Sequence, residues 1–141
     1  MTKKEYVQIP SNEIHEYWDL FGGLIEKARQ KAGDDDHSLQ GVYSRLVNNM
    51  WQLYAVLEEG ELSFIFVTCV IPYDLNSYLH SIYTSAMDGK KIDFSYYDEC
   101  TMEIAKHFNC SRISGGGRKG WLRINKKYGY EEKPLVIKEV R

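Results

Sequence analysis

The clearest candidate for chemistry is a glycine-rich segment near the end of the chain. Three consecutive glycines occupy positions 115–117, and the basic sequence Arg118-Lys119-Gly120-Trp121 follows them. Glycine allows a positive φ and a close approach of the backbone to a partner. Glycines ahead of a helix can also form an anion-binding concavity. A plain flexible turn is the alternative interpretation.

The side chains after these glycines suggest a contact with another protein. Arg118 supplies a cation and Trp121 a large flat apolar surface. Both residue types recur among the side chains that dominate the binding energy of interfaces. We therefore predict that Arg118 and Trp121 bind a protein partner. In the alternative, Trp121 closes the core and Arg118 is exposed and inert.

An acidic run earlier in the chain has the residue types of a metal site. Asp34, Asp35 and Asp36 precede His37, and carboxylate oxygens suit Mg²⁺ or Ca²⁺. The spacing matches no EF-hand loop, and the same residue types are frequent at helix N-termini. We therefore predict a solvated loop and no bound metal.

Histidine and cysteine side chains offer two further kinds of catalytic group. His80 lies in a predicted buried strand and could act as a general base near neutral pH. A hydrogen-bonded structural histidine is the alternative. Cys69 and Cys110 would need a paired base to act as nucleophiles, and none is recognisable, so we predict buried structural thiols. The catalytic residues therefore stay unassigned.

Composition places the chain among ordinary globular proteins. Of its 141 residues, 43% are hydrophobic and 27% charged, and we expect one domain spanning residues 1–141. A net charge of −2 does not favour nucleic acid as a partner. The longest apolar run, Phe64–Ile71, is too short to span a membrane. The N-terminus has no signal-peptide pattern, and the three cysteines are widely spaced, which favours a reduced cytosolic setting.

Hydrophobic periodicity predicts an α+β fold. Helical spacing appears at 14–28, 38–50 and 94–108. Phe64–Ile71 lacks polar alternation, which is typical of a central strand covered on both faces. A short helix at 121–128 should end at Gly129. The predicted strands are residues 6–10, 53–57, 62–71, 78–84, 110–114 and 135–140.

Two features of the sequence resemble the GNAT superfamily of N-acetyltransferases. One is the element order β-α-α-β-β-β-α-β-α-β, and the other is the ending from Trp121 to Gly129-Tyr130, which is similar to the family's closing helix. The pattern Cys-x-x-Ile, Gly-Arg-x-Gly-Trp and Gly-Tyr resembles small GNAT-like proteins encoded by tailed bacteriophages. The resemblance implies a mixed, mostly antiparallel twisted sheet flanked by helices. It also implies a protein located in the host cytoplasm or the virion.

The resemblance further implies an acetyl-CoA site after the fourth strand. GNAT enzymes have a loop with two glycines there, which directs backbone N–H groups at the pyrophosphate. The corresponding stretch here has one glycine, and Asp88 and Asp93 would repel phosphate. We therefore expect acetyl-CoA to bind weakly or not at all, and no metal cofactor. The residues that would bind the cofactor are Tyr83, Ser85, Gly89 and Lys90.

The closing helix departs from the GNAT pattern as well. Many members have a tyrosine that protonates the leaving thiolate, and its position here holds Asn125, which cannot act as a general acid. Trp121 stands where a small residue normally admits the pantetheine arm. These departures predict a non-catalytic accessory or virion-associated protein whose partner is a phage or host protein. The alternative is an acetyl-CoA-dependent N-acyltransferase that acts on a small-molecule or protein amine.

Overall fold

The computed structural model describes residues 3–115, 124, 126–132 and 136–140, and residues 3–115 contain five strands, three α-helices and one 3-10 helix. The elements follow the predicted order up to the fifth strand. They are β1 (Lys4–Ile9), a 3-10 helix (Ser11–Tyr17), α1 (Trp18–Ala32), α2 (Leu39–Val47), β2 (Gln52–Glu58), β3 (Glu61–Pro72), β4 (Ser77–Ala86), α3 (Phe94–His107) and β5 (Arg112–Gly115).

β3 is the central strand of the sheet, as the sequence predicts. The strand order is β1-β2-β3-β4-β5. The first four strands pair antiparallel, and β5 joins β4 in parallel. Residues 63–69 of β3 are buried without alternation, because helices cover both faces of the sheet. The predicted α+β fold with a mostly antiparallel sheet is therefore confirmed.

Two hydrophobic clusters lie on opposite faces of this sheet. Side chains of β2 alternate between them, as the pleat of a strand requires. Leu53 and Ala55 pack against α1 and α2, whereas Tyr54 and Val56 pack against α3. The two-helix layer and α3 thus cover different faces, and β4 has side chains directed to each. Within the described ranges, no helix combines the length and apolar character needed to cross a bilayer.

α1 carries two adjacent glycines with different surroundings. The sequence predicts a bend or a close helix contact there, and α1 runs through both without interruption. A Cβ at Gly22 would lie 2.9 Å from Cε2 of Trp18. The Trp18 ring in turn packs edge-to-face on Tyr43 of α2, with 4.9 Å between centroids. Nothing lies within 4 Å of a Cβ at Gly23. A close contact therefore explains Gly22 alone.

Alanine at the two glycines should change stability in opposite directions. Gly23→Ala should raise the free energy of unfolding by up to about 1 kcal/mol, because alanine has the higher helix propensity and the site is open. Gly22→Ala should lower it, because the new methyl group displaces Trp18 from Tyr43. Urea denaturation of each variant provides the measurement. Equal stabilisation by both substitutions would show that Trp18 moves aside without cost.

The predicted strand at 135–140 is wrong for the part of it that the structure describes. Residues 136–140 have no regular structure, and Val136, Ile137 and Val140 are largely exposed. Their side chains favour a strand, but a strand also needs a hydrogen-bonded neighbour to be stable. Among the described strands, none pairs with this segment.

The structure differs from the predicted end of one helix and agrees with the predicted end of another. α2 ends at Val47 rather than at residue 50, and the backbone turns away at Asn49 with φ of 58°. Met50 is therefore exposed instead of buried. The closing helix is described only at Ile124 and from residue 126, and Gly129 follows it with φ of +88°. That glycine has the left-handed conformation expected just after a helix.

Candidate functional site

The pairing of β4 with β3 is broken next to a cleft of the described structure. The β3–β4 register skips one residue, because Val67 faces Tyr83 and Thr68 faces Ser81. Ile82 is therefore an extra residue, and such a bulge bends the strand and redirects its groups. The last described pair of β4 with β5 is at Ser81, just before the bulge. Beyond it, the edge of β4 has no strand partner among the described residues.

A cavity of about 370 Å³ lies beside this edge of β4. Its volume falls in the range of small-molecule sites, roughly 300–1,000 Å³. Residues 82–86 of β4 form one wall, and α1 and the loop between β4 and α3 form the others. The lining residues outside β4 include Lys27, Ala28, Lys31 and Ala32 of α1, and Lys90, Lys91 and Ile92 of the loop.

Ser85 contributes an unpartnered, buried hydroxyl group to the wall of this cavity. The residue lines the cavity and is only 4% exposed. Its Oγ has no hydrogen-bond partner in the described part of the chain. A buried hydroxyl in this state costs on the order of 1–3 kcal/mol of stability, and a polar ligand in the cavity would remove that cost. The residues present therefore fit a ligand with hydrogen-bonding groups.

Four lysines make the cavity electropositive, two from α1 and two from the loop after β4. Lys27 is held in place, because its ammonium group donates to the backbone oxygen of Ala86 at 3.2 Å. Lys31 and Lys91 have no ion-pair partner among the described residues. Ammonium groups in a cleft attract anionic ligands such as phosphates. The four are Lys27, Lys31, Lys90 and Lys91.

The N-terminus of α3, in contrast, is closed by a carboxylate. Asp93 precedes the helix and accepts a hydrogen bond from the backbone N–H of Tyr96 at 3.1 Å. Its hydrogen bond with Lys4 of β1 lowers the pKa of Asp93. A negative side chain thus already satisfies the positive end of the helix. The amide site that the GNAT resemblance implies for a pyrophosphate is therefore filled by the protein itself.

The structure brings three of the four predicted cofactor residues to the cavity. Tyr83, Ser85 and Lys90 line it, whereas Gly89 lies in the adjoining loop with φ of +78° and is not part of the wall. The hydroxyl of Tyr83 is already engaged, because it donates to Asp34. The two predicted partner-binding residues, Arg118 and Trp121, lie outside the described residues.

Sequence reasoning missed the lysines that α1 contributes. Lys27 and Lys31 are four residues apart and therefore share one face of the helix. That spacing is a signal for a basic helix face, but it does not identify what the face meets. The contact of Lys27 with Ala86 joins residues 59 positions apart, so only the packing of α1 on β4 relates these lysines to the cofactor stretch.

The acidic run forms a hydrogen-bonded turn. Asp34 Oδ1 accepts from the backbone N–H groups of Asp36 and His37, at 2.8 and 3.1 Å. Its Oδ2 accepts from the hydroxyl of Tyr83 and lies 3.1 Å from Nδ1 of His37. Burial alone would raise the pKa of Asp34, but these hydrogen bonds lower it to about 2. The turn therefore links the α1–α2 loop to β4 next to the cavity.

Asp34→Asn should destabilise the protein in a pH-dependent way. The folded pKa of about 2 lies below the ordinary value of 3.8, so the stabilising contribution is complete above pH 3.8 and is lost as pH falls toward 2. Near neutral pH the substitution should lower the free energy of unfolding by about 2 kcal/mol. Urea denaturation across the acid range measures the change. Asp35→Asn, at an exposed position of the same turn, is the control, and a loss that stays constant with pH would contradict the assignment.

His80 lies in the next-to-last pair that the structure describes between β4 and β5. It faces Ser114 across the two strands, and its Nδ1 is 2.9 Å from the Ser114 hydroxyl oxygen. Burial lowers the pKa of His80, and nearby His37 lowers it further. The imidazole is therefore neutral at pH 7. When Nδ1–H donates to Ser114, the other ring nitrogen is free of a proton and can accept one.

The cysteines lack the character of nucleophiles. Burial raises the pKa of the Cys69 and Cys110 thiols, so both stay protonated at neutral pH, whereas a nucleophile must be a thiolate. Cys69 is buried, as predicted, and Cys110 is only half-buried. Neither thiol thus supports covalent catalysis at this site.

Solved structures match the chain in fold, although no family model and no curated protein sequence matches it. A predicted acetyltransferase with acetyl-CoA from Clostridium acetobutylicum aligns over 98% of this chain and 96% of that one, with a TM-score of 0.72 at 13% identity. An aminoglycoside acetyltransferase from an uncultured soil metagenomic sample, in complex with sisomicin, aligns over 98% and 96%, with 0.71 at 10% identity. The aminoglycoside N-acetyltransferase AAC(6')-Iy in complex with CoA covers 100% and 96%, with 0.69 at 8% identity. At these identities the likeness concerns the fold: the chain has the GNAT-like fold, and its resemblance to phage proteins stays a prediction.

Proposed function

We propose that the protein is an acyl-CoA-dependent N-acyltransferase that transfers an acetyl group to an amine. The observation that carries the proposal is the buried, unpartnered hydroxyl of Ser85 in a cavity beside an edge of β4 that has no strand partner among the described residues. An elongated ligand with amide groups can pair with such an edge as an added strand does. Structures of similar fold that hold acetyl-CoA or CoA support this choice of donor.

Different walls of the cavity bind different parts of the donor. Acetyl-CoA, when bound, supplies the acetyl group as a thioester. The backbone edge of residues 82–86 and the Ser85 hydroxyl hold the amide-containing arm, because these are the hydrogen-bonding groups that the wall of β4 offers. The lysines of the other two walls face the phosphates, since their charge is complementary.

The general base in this proposal is His80, which does not line the cavity but precedes its β4 wall, residues 82–86, by two positions. In the transfer, the amine nitrogen forms a bond to the acetyl carbon, the carbon–sulfur bond breaks, and the nitrogen must lose a proton. His80 takes that proton on Nε2, while Ser114 holds the ring through Nδ1. The departing thiolate takes a proton from water. A pKa lowered by burial keeps His80 ready as a base at neutral pH.

Ser85→Ala should separate ligand binding from stability. Without ligand, the variant should be at least as stable as the parent, because the substitution removes an unpartnered buried hydroxyl. Its Kd for acetyl-CoA should rise about fivefold, as expected for the loss of one hydrogen bond. Urea denaturation and titration calorimetry give the two values.

Ser81→Ala is the matched control for Ser85→Ala. Ser81 accepts a hydrogen bond from Tyr97 of α3 on the opposite face of the sheet, so this variant should lose stability in the absence of ligand. An unchanged Kd in Ser85→Ala would remove Ser85 from the site. No measurable binding of acetyl-CoA to the parent at millimolar concentration would overturn the proposed function.

His80→Ala should lower kcat for amine acetylation by about 100-fold, with the Kd for acetyl-CoA unchanged. In the parent, kcat/KM should fall in acid with a midpoint below 6.5, because the base works only when neutral and its pKa is lowered. Release of CoA thiol with a panel of primary amines measures both quantities. Full activity in His80→Ala, or a parent profile that is flat through the acid range, would exclude His80 as the base.

A non-catalytic role is the second candidate, and the closure of the α3 N-terminus by Asp93 favours it. In that case the fold serves to contact a phage or host protein through Arg118 and Trp121. The same calorimetry separates the two candidates. Binding of acetyl-CoA together with acetylation of an amine would exclude the non-catalytic role, and the absence of both would favour it.

A further inference from the structure

In GNAT enzymes the N-terminus of a helix binds the phosphates of the donor. In this protein the corresponding helix end is capped by a carboxylate, and lysine side chains lie nearby. Building on the proposed function, we infer that lysine side chains of α1 and of the β4–α3 loop hold the diphosphate of acyl-CoA, and that Asp93 keeps the N-terminus of α3 closed to it. The ligand class is the one proposed above, and the new element is which groups of this chain bind its charge.

The closure of α3 rests on two contacts of one carboxylate. Asp93 accepts from the N–H of Tyr96 and pairs with Lys4, and both partners of the ion pair are largely shielded, with 29% and 33% of their side chains exposed. A phosphate at this helix end would displace Asp93 from its cap or lie against its negative charge. Lys4 and Asp93 belong to β1 and α3, so the pair also fixes the helix to the sheet.

The lysines lie on the walls of the cavity and not at the N-terminus of α3. Lys27 is anchored on the backbone oxygen of Ala86 at 3.2 Å, and Lys31 follows one helical turn later on the same cavity wall. Lys91 lines the loop side, and neither it nor Lys31 is paired within the described residues. Two charges are thus available to a ligand without breaking any ion pair.

The nearby carboxylates do not cancel these charges. Asp88 lies 3.5 Å from Lys27, and Glu61 lies 3.8 Å from Lys90. Both carboxylates are well exposed, with 102% and 78% of their side chains accessible, and exposed pairs of this length are weak. An incoming diphosphate can therefore replace them as the partner of Lys27 and Lys90.

The buried hydroxyl of Ser85 ties this charged wall to a ligand. Ser85 and the four lysines line one cavity, so a molecule that satisfies Ser85 with its neutral arm has its phosphates within the field of the lysines. A ligand held by exposed ammonium groups should lose affinity as salt rises, because ions screen such contacts. Backbone amides of a helix end carry no net charge and would give a weaker dependence on salt.

The double variant Lys31→Gln/Lys91→Gln tests the lysines, and Lys106→Gln/Lys138→Gln is the control with the same change of net charge. The control residues are exposed and do not line the cavity. By titration calorimetry, the Kd for acetyl-CoA should rise roughly tenfold in the first variant and stay near the parent value in the second. The Kd for S-acetylpantetheine, which has no phosphate, should be unchanged in both. A rise no larger than the control's would overturn the inference.

The variant Lys4→Gln/Asp93→Asn tests the closure of α3 without changing the net charge. Its thermal stability should fall, because the ion pair is lost, and its Kd for acetyl-CoA should also fall, because the carboxylate that repels phosphate from the helix end is gone. An unchanged Kd would show that Asp93 does not close the helix end to phosphate, which would contradict the inference. If the parent binds neither acetyl-CoA nor S-acetylpantetheine, the proposed function fails first; if it binds acetyl-CoA without regard to the lysines, only the inference fails.

Discussion

The last pair that the structure describes between β4 and β5 joins Ser81 and Gly115, and the bulge at Ile82 follows at once. A fifth strand that continued along β4 would engage the backbone groups of residues 82–86 and fill the space that the cavity now occupies. The bulge opposes such pairing, because the extra residue turns the strand and breaks the register of its edge. The face on which Ser85 lies depends on that break, since the extra residue shifts the alternation of the side chains that follow it. The site therefore depends on the geometry of the sheet more than on any one side chain.

The fold gives the acidic groups around this cleft partners within the protein and places lysines where they can contact a ligand. Asp93 is neutralised by Lys4, 89 residues away, and Asp34 is held by Tyr83 and His37. Arg29 secures the same loop by donating to the backbone oxygens of Asp34 and His37 at 3.1 and 2.7 Å. The acidic groups nearest the cleft thus have protein partners, while lysines line the cavity. Asp93 therefore keeps negative charge at the end of α3, while the positive charge of the cleft lies on the walls that the lysines line.

The sequence predicts a feature well when the residues that determine it are neighbours in the chain, and poorly when they are far apart. The apolar run at 64–71 and the helical periodicity are properties of neighbouring residues, so the sequence predicts β3 and α3 correctly. The partner of Asp93 and the contact of Lys27 with β4 join distant positions, and no periodicity encodes them. The strand predicted at 135–140 fails for residues 136–140, because local preference cannot supply a pairing edge.

The strongest argument for a ligand is energetic. A folded domain of ordinary stability has roughly 5–15 kcal/mol in total, and one unsatisfied buried hydroxyl removes on the order of 1–3 kcal/mol of it. Alanine at position 85 would avoid that cost and keep nearly the same volume, since the residue is 4% exposed and its Oγ bonds nothing in the described structure. A serine there is physically reasonable when a bound molecule supplies the missing partner. The same reasoning fits the place of this cost, which lies beside the stretch of β4 that has no second strand partner among the described residues and not within the packed clusters on either face of the sheet.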